Sequence, residues 1–303
     1  MTTTNDPRIR ELLEQADELP YGRQEREVLQ RALDLAREIG EEETEYRIRF
    51  AMIASYGATD DETEQLLMHF SVCAAMHDRD PVRFPSKPEE GCGGDLLWYY
   101  KWVAGSISSS VLFDRSQIER LLGQMEHHYR RAGAPLGGVV AERFGYHVAN
   151  GFLHESEQDF AELTAMGRDR WSDCPACAAA LECEMHLSYG REPEALAVVD
   201  RIMEEEYSCG EEPESILSLA LGALLRAGRL EQARDAHLGV TREQCRYIGV
   251  GSVGDNMAFC AMTGNAARGL GLLTRSLPEL VRDPVVTQLH FRFLVGAAVL
   301  LQA

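Results

Sequence analysis

The chain has 303 residues and sets 30 lysines and arginines against 49 aspartates and glutamates, a formal net charge of −19. That acidity argues against nucleic acid and anionic membrane as partners, because phosphate groups meet net repulsion. With 45% apolar residues the chain can bury a core, which excludes wholesale disorder. The only lysines are Lys87 and Lys101, and no G-x-x-x-x-G-K-[ST] run exists, so most Schiff-base and P-loop chemistry is removed at once.

The N-terminal segment MTTTNDPRIREL is polar and opens a helix, with Asp6 as cap and Pro7 in the first turn, rather than an apolar leader. The longest apolar stretch, residues 295–301, contains Gly296 and is too short to span a bilayer. The expectation is a soluble cytoplasmic protein without a membrane partner. In such a compartment its eight cysteines serve as free thiols, metal ligands or redox groups rather than disulfide staples.

Along the chain the apolar spacing is helical. Val28, Leu29, Ala32, Leu33, Ala36 and Ile39 follow the i, i+3, i+4, i+7 rule, as do Ile118, Leu122, Met125 and Tyr129, and again Ala195, Val198, Val199 and Ile202. The Val/Ile-rich piece 103–111 carries Ser108-Ser109-Ser110, which marks a helix end. Residues 78–95 hold three prolines and three glycines in no helical period and read as a loop or hinge. The expected division is therefore N-terminal helical repeats over 1–79, an irregular segment over 80–94 and a repeat array over 95–303. The aromatic cluster from Leu96 to Trp102 and the methionines Met52, Met68, Met76 and Met125 are assigned to the core. Glu126-His127-His128 and the acidic runs 41–43, 204–206 and 211–212 are assigned to solvated surface.

A repeat organises these helices. Gly57, Gly105, Gly151, Gly190, Gly228 and Gly264 each close a helix and are spaced 48, 46, 39, 38 and 36 residues apart. The stretches LSYGREPEAL, LRAGRLEQAR and AMTGNAARGL align, with a small residue five after the glycine: Ala195, Ala233 and Gly269. Glycine accepts the left-handed conformation that ends a helix, and the small residue lets two helices approach closely. This pattern resembles the tetratricopeptide-repeat (TPR) family, whose period is near 34 residues. The resemblance covers residues 22 to 300, strongest from Cys177 on and degenerate before Gly151. The longer periods and mostly absent aromatic positions depart from the family pattern. It implies an all-α fold: twelve to fourteen helices in antiparallel pairs forming a right-handed α-solenoid.

The most specific chemical signal is Cys174-Pro175-Ala176-Cys177. Proline after Cys174 fits a helix start and places both sulfurs in the first turn, near the positive end of the helix dipole, where thiolate is favoured. A lone C-x-x-C fits unligated thiols, a metal or a redox pair equally well in kind. Cys209 follows 35 residues after Cys174 in the loop before a later helix. One repeat on in sequence is one layer over in space, so Cys209 is expected beside the pair. His237, at the end of a second helix of the next unit, is the candidate fourth ligand. Cys174, Cys177, Cys209 and His237 would then form a closed, structural Cys₃His zinc site. The combination of S-D-C-x-x-C, S-C-x-E-E-P and Ala236-His237 resembles one in actinobacterial helical-repeat proteins.

Other motifs lead nowhere chemical. Gly249-Val250-Gly251-Ser252-Val253-Gly254 matches G-x-G-x-x-G, but Thr274 stands where a dinucleotide site needs an acid, and the bland reading is small residues at a helix crossing. His154-Glu155 is followed by Gln158, so H-E-x-x-H fails. The functional expectation is a non-enzymatic scaffold that binds a basic or amphipathic protein or peptide segment. The alternatives are a thiol redox or metal-dependent protein using Cys174 and Cys177, and a peptide-sensing regulator. The helix over 285–301 is apolar on most faces and is expected to be covered by a second copy, by a partner or by further chain.

Overall fold

The computed structural model describes residues 4, 6–59, 62–88, 94–241, 249–278 and 287–303. Among the described residues every regular element is an α-helix, and none is long and apolar enough to cross a membrane. The helices are α1 (Pro7–Asp17), α2 (Arg23–Ile39), α3 (Glu42–Thr59), α4 (Thr63–Arg79), α5 (Leu96–Ser108), α6 (Arg115–Arg131), α7 (Gly137–Ala149) and α8 (Leu153–Met166). They continue with α9 (Pro175–Ser188), α10 (Glu192–Glu204), α11 (Glu214–Arg226), α12 (Leu230–Val240), α13 (Val250–Met262), α14 (Ala266–Ser276) and α15 (Thr287–Gln302). Packing divides the chain into two compact units: residues 1–106 with 119–133, and residues 107–118 with 134–303. The irregular segment 80–94, of which 89–93 lie outside the described residues, belongs to the first unit.

In the first unit α1 to α4 pack each on the next. Its centre is a chain of rings: Tyr46 lies 4.9 Å from Phe50 and 5.3 Å from Phe84, and Phe50 lies 5.4 Å from Tyr99, centroid to centroid. The aromatic cluster is core as expected, with Tyr99 and Tyr100 almost fully buried. Gly57 and Gly105, however, do not close helices. Both sit inside helices, α3 and α5, and a Cβ on Gly57 would lie 2.2 Å from Cε3 of Trp102. The glycine there admits an indole, and the left-handed turn of this region belongs to Gly40, at φ 77° between α2 and α3.

Two burial assignments also change, one in each direction. Met68 is exposed on α4, so only three of the four methionines are core. His128 is buried: its Nε2 lies 3.2 Å from Asp78 Oδ1 and its ring packs edge-on against Tyr100. Charged residues at neighbouring α6 positions hide that inward direction from a reading of local polarity.

A buried polar cluster ties α3 to α4. Arg49 is held by Glu45 at 2.7 Å and reaches Nδ1 of His69 at 3.1 Å, while the His69 ring stacks on Tyr56. Burial, and then the Arg49 charge, push the His69 imidazole down from 6.5 to about 4. Between those two values the unfolded chain binds a proton that the folded one does not, so stability present above pH 6.5 is lost as pH falls towards 4. The expected loss over that window is about 3 kcal/mol. Urea unfolding across it should show a shallower fall for His69→Gln, whose amide can still accept from Arg49 but does not titrate.

The second unit is built of helix pairs. Helices α7/α8, α9/α10, α11/α12 and α13/α14 form successive hairpins, and their first helices pack in file, α7 on α9, α9 on α11 and α11 on α13. Each hairpin turns at a glycine in the left-handed region: Gly151, Gly190, Gly228 and Gly264, with φ between 69° and 72°. In all four the next N–H bonds back to the carbonyl five residues earlier: Phe152 to His147, Arg191 to His186, Arg229 to Leu224 and Asn265 to Cys260, at 2.8–2.9 Å. This is the paired closure that glycine makes without a Cβ penalty. Five residues on, Ala195 and Ala233 are fully buried. Ser156, after Gly151, fills the same place with its hydroxyl on Tyr189, a fourth instance that a search for Ala or Gly overlooks.

Helix α15 closes the unit against α13, burying Phe293, Ala297 and Leu300 while Phe291, Leu294, Val295 and Leu301 stay exposed. The G-x-G-x-x-G run explains the contact. A Cβ on Gly254 would meet Arg292 O at 2.4 Å, and one on Gly296 would meet Gly254 O at 2.0 Å. Backbone touches backbone, as the reading of small residues at a helix crossing requires. Gly254→Ala and Gly296→Ala are each expected to cost about 3 kcal/mol through forced separation. Gly239→Ala, on a helix face with open space, should be neutral or slightly stabilising by the same thermal-unfolding measurement.

Candidate metal centre

Helix α9 starts at Pro175, and Cys174 is its N-cap, with Sγ accepting the N–H of Cys177 at 3.4 Å. A proline at the first position loses no hydrogen bond there, since that N–H has no helical partner. The cap geometry puts Cys177 in the first turn of α9, facing its own cap. The loop from α10 to α11 brings Cys209 to the same place. That loop is folded on itself by Cys209 N–H to Glu212 O at 2.9 Å and by Glu211 N–H to Cys209 Sγ at 3.5 Å.

The three sulfurs form a compact triangle. Cys177 Sγ lies 3.4 Å from Cys174 Sγ and 3.5 Å from Cys209 Sγ, and all three lie within 4.8 Å of one another. None is in a disulfide, and Cys174 and Cys177 are half-buried while Cys209 is exposed. Four ligands at a Zn–S distance of 2.3 Å would stand ~3.8 Å apart along the edges of a tetrahedron. The triangle is therefore close to one face of such a site before any ion enters.

Electrostatics favour a cation. Burial works against the Cys174 thiolate, but hydrogen bonds from the Cys177 N–H and from the Cys177 and Cys209 thiols outweigh it and lower its pKa. Cys177 moves strongly upward, first by burial, then through its hydrogen bonds to the Cys174 and Cys209 sulfurs, and last by repulsion between the sulfurs' charges. The trio thus gives up one proton easily and the next with difficulty. A soft divalent ion removes that repulsion and lets all three sulfurs ionise.

The structure brings together three of the four predicted ligands. His237 lies on α12 as the repeat predicts, but both its ring nitrogens are occupied elsewhere. Nδ1 donates to Asn256 Oδ1 at 2.7 Å, and Nε2 accepts from Arg268 Nε at 2.8 Å. Asn256 belongs to α13 and Arg268 to α14, and the group of metal-competent side chains found among the described residues does not include His237. Burial, and then the Arg268 charge, lower the imidazole's pKa against the opposing hydrogen bond to Asn256. Cys260 Sγ lies 3.9 Å from His237 Nε2, which with Asn256 makes a Cys-His-Asn set. It does not activate a nucleophile, because Arg268 uses the lone pair that would take the thiol proton, and burial raises the Cys260 thiol.

Beside the trio, Glu212 departs from what its acidic neighbours suggest. Glu212 belongs to an acidic run assigned to solvent, yet it is only 7% exposed, and burial pushes it up to about 7. Its one available signal is the position between Cys209 and Pro213, in a loop forced inward by the cysteine. Compared with known proteins, the chain matches no family model, and no curated protein matches it.

The site makes a reactivity prediction. In metal-stripped native protein, brief alkylation followed by peptide mass mapping should label Cys174 and Cys209 well ahead of Cys73 and Cys183. The latter two are fully buried, and burial raises their thiols.

Proposed function

We propose that this chain is a non-enzymatic, TPR-like right-handed α-solenoid that binds a basic or amphipathic protein or peptide segment in the cytoplasm. One zinc ion at Cys174, Cys177 and Cys209 fastens its array. The convergence of the three sulfurs carries this reading, because two come from the start of α9 and one from the loop before α11. An ion held there joins consecutive hairpins of the array, which is a structural task. With His237 engaged by Asn256 and Arg268, such an ion would have three protein ligands, Cys174, Cys177 and Cys209, rather than the four of the closed Cys₃His set. The net charge of −19 supports a basic partner.

The close approach of Cys174 to Cys177 favours a second reading, a dithiol that exchanges with a partner's disulfide. The Cys174 thiolate would attack one sulfur of that disulfide and release the other as thiolate. Cys177 would then displace the partner, leaving a Cys174–Cys177 disulfide and a reduced partner.

Elemental analysis of protein purified without chelator separates the two. The expected result is about one zinc per chain, lost in Cys177→Ser and Cys209→Ser and retained in His237→Asn, with a lower melting temperature after chelation. Zinc well below one per chain sinks the metal reading. A reversible disulfide between residues 174 and 177 in that metal-free protein supports the redox one.

A further inference from the structure

The three sulfurs of the trio are not equivalent. Cys177 Sγ stands between the other two, 3.4 Å from Cys174 Sγ and 3.5 Å from Cys209 Sγ. Among the described residues Cys209 is the only exposed cysteine, whereas Cys174 and Cys177 are half-buried. Each outer sulfur is oriented by a backbone N–H, that of Cys177 on Cys174 at 3.4 Å and that of Glu211 on Cys209 at 3.5 Å. One sulfur thus lies open to a dissolved reagent, and a second, better shielded, lies in contact with it.

That order is what stepwise oxidation of a thiol requires. A hydroperoxide oxidises an accessible cysteine, and the sulfenic acid formed condenses with a second thiol held close by. From 3.5 Å the Cys177 and Cys209 sulfurs have only about 1.5 Å to travel to the length of a disulfide bond.

The two bonds open to Cys177 tie different things. Cys174 and Cys177 are three positions apart at the start of α9, so a bond between them stays within one helix turn. Cys177 and Cys209 are 32 positions apart, and a bond between them joins α9 to the loop before α11. Closing the longer separation restricts the unfolded chain more and stabilises the fold more.

We propose that Cys209 is an oxidation site for a hydroperoxide and that Cys177 resolves it, so that a Cys177–Cys209 disulfide replaces the ion between consecutive hairpins. The Cys209 sulfur attacks one peroxide oxygen and becomes a sulfenic acid. The O–O bond breaks, and the other oxygen takes the thiol proton and leaves as an alcohol, or as water from hydrogen peroxide. The Cys177 sulfur then attacks the Cys209 sulfur, the S–O bond breaks, and the hydroxyl leaves as water with the Cys177 proton. Two thiols lose two electrons and the peroxide gains them. Cys174 remains a thiol, and alone it does not hold the ion. Release of zinc rests on the metal reading above; formation of the disulfide does not.

The full chain, zinc-loaded and again after chelation, is treated with a small excess of hydrogen peroxide, alkylated and mapped by non-reducing peptide mass spectrometry. In both forms the expected product is the disulfide between residues 177 and 209, with Cys174 alkylated and the bond reversed by dithiothreitol. Zinc should leave the loaded form in step with it, and the oxidised chain should melt above the reduced, metal-free one. In metal-free Cys177→Ser, dimedone should trap sulfenic acid on Cys209 about tenfold more than on Cys174. A chain that holds no zinc yet forms the 177–209 bond supports this site while defeating the metal reading. A main product between residues 174 and 177, or no disulfide within the trio, overturns the site and leaves the zinc content to decide the metal reading. Dimedone found chiefly on Cys174 overturns it as well.

Discussion

The second unit depends on one backbone constraint. Four times the chain reverses between paired helices at a single glycine held near φ 70°, with a small or hydroxyl side chain five residues later where the helices meet. Because the turn is so short, it allows no slack in where the second helix begins. The first helices then fall in file, and a residue one repeat on in sequence comes to lie one layer over. The cysteine trio is a product of that regularity. The N-cap of α9 and the loop before α11 meet because the one hairpin between them, α9/α10, reverses tightly at Gly190.

What could be read from the sequence follows the same line. The helix starts, the four turn glycines from Gly151 on and the meeting of Cys174, Cys177 and Cys209 are local or periodic facts, and periodic facts survive translation into space. Gly57 and Gly105 were legible as glycines but not as what they are, because a close approach by Trp102 and a turn leave the same letter in the sequence. His237 was placed on the correct helix and given the wrong neighbours. The end of a helix is predictable to within a turn, whereas the direction of a ring depends on Asn256 and Arg268, which lie 19 and 31 residues away. His128 and Glu212 were missed for the opposite reason: each stands among exposed charged residues, and average polarity says nothing about the one side chain turned inward.

Ion pairs link successive helix pairs as well. Arg191 pairs with Glu157 and Arg226 with Glu192, both 34 residues back, and Arg229 pairs with Asp200. These are partly exposed ion pairs, each worth little in isolation, and the first two share an offset of 34 residues. Arginine's planar, multidentate head suits such bridges between successive hairpins better than lysine's point charge, in keeping with a chain that has only two lysines.

The crossing of α13 and α15 carries a different consequence. Most helix contacts are made by side chains, which can repack when one helix slides along another. Here Gly254 and Gly296 meet through their backbones, and the residues flanking each glycine all bear a Cβ. A change of one residue at either glycine would drive a Cβ into the opposing main chain. The contact therefore fixes which residue of α15 stands opposite Gly254, and side-chain repacking cannot compensate for its loss.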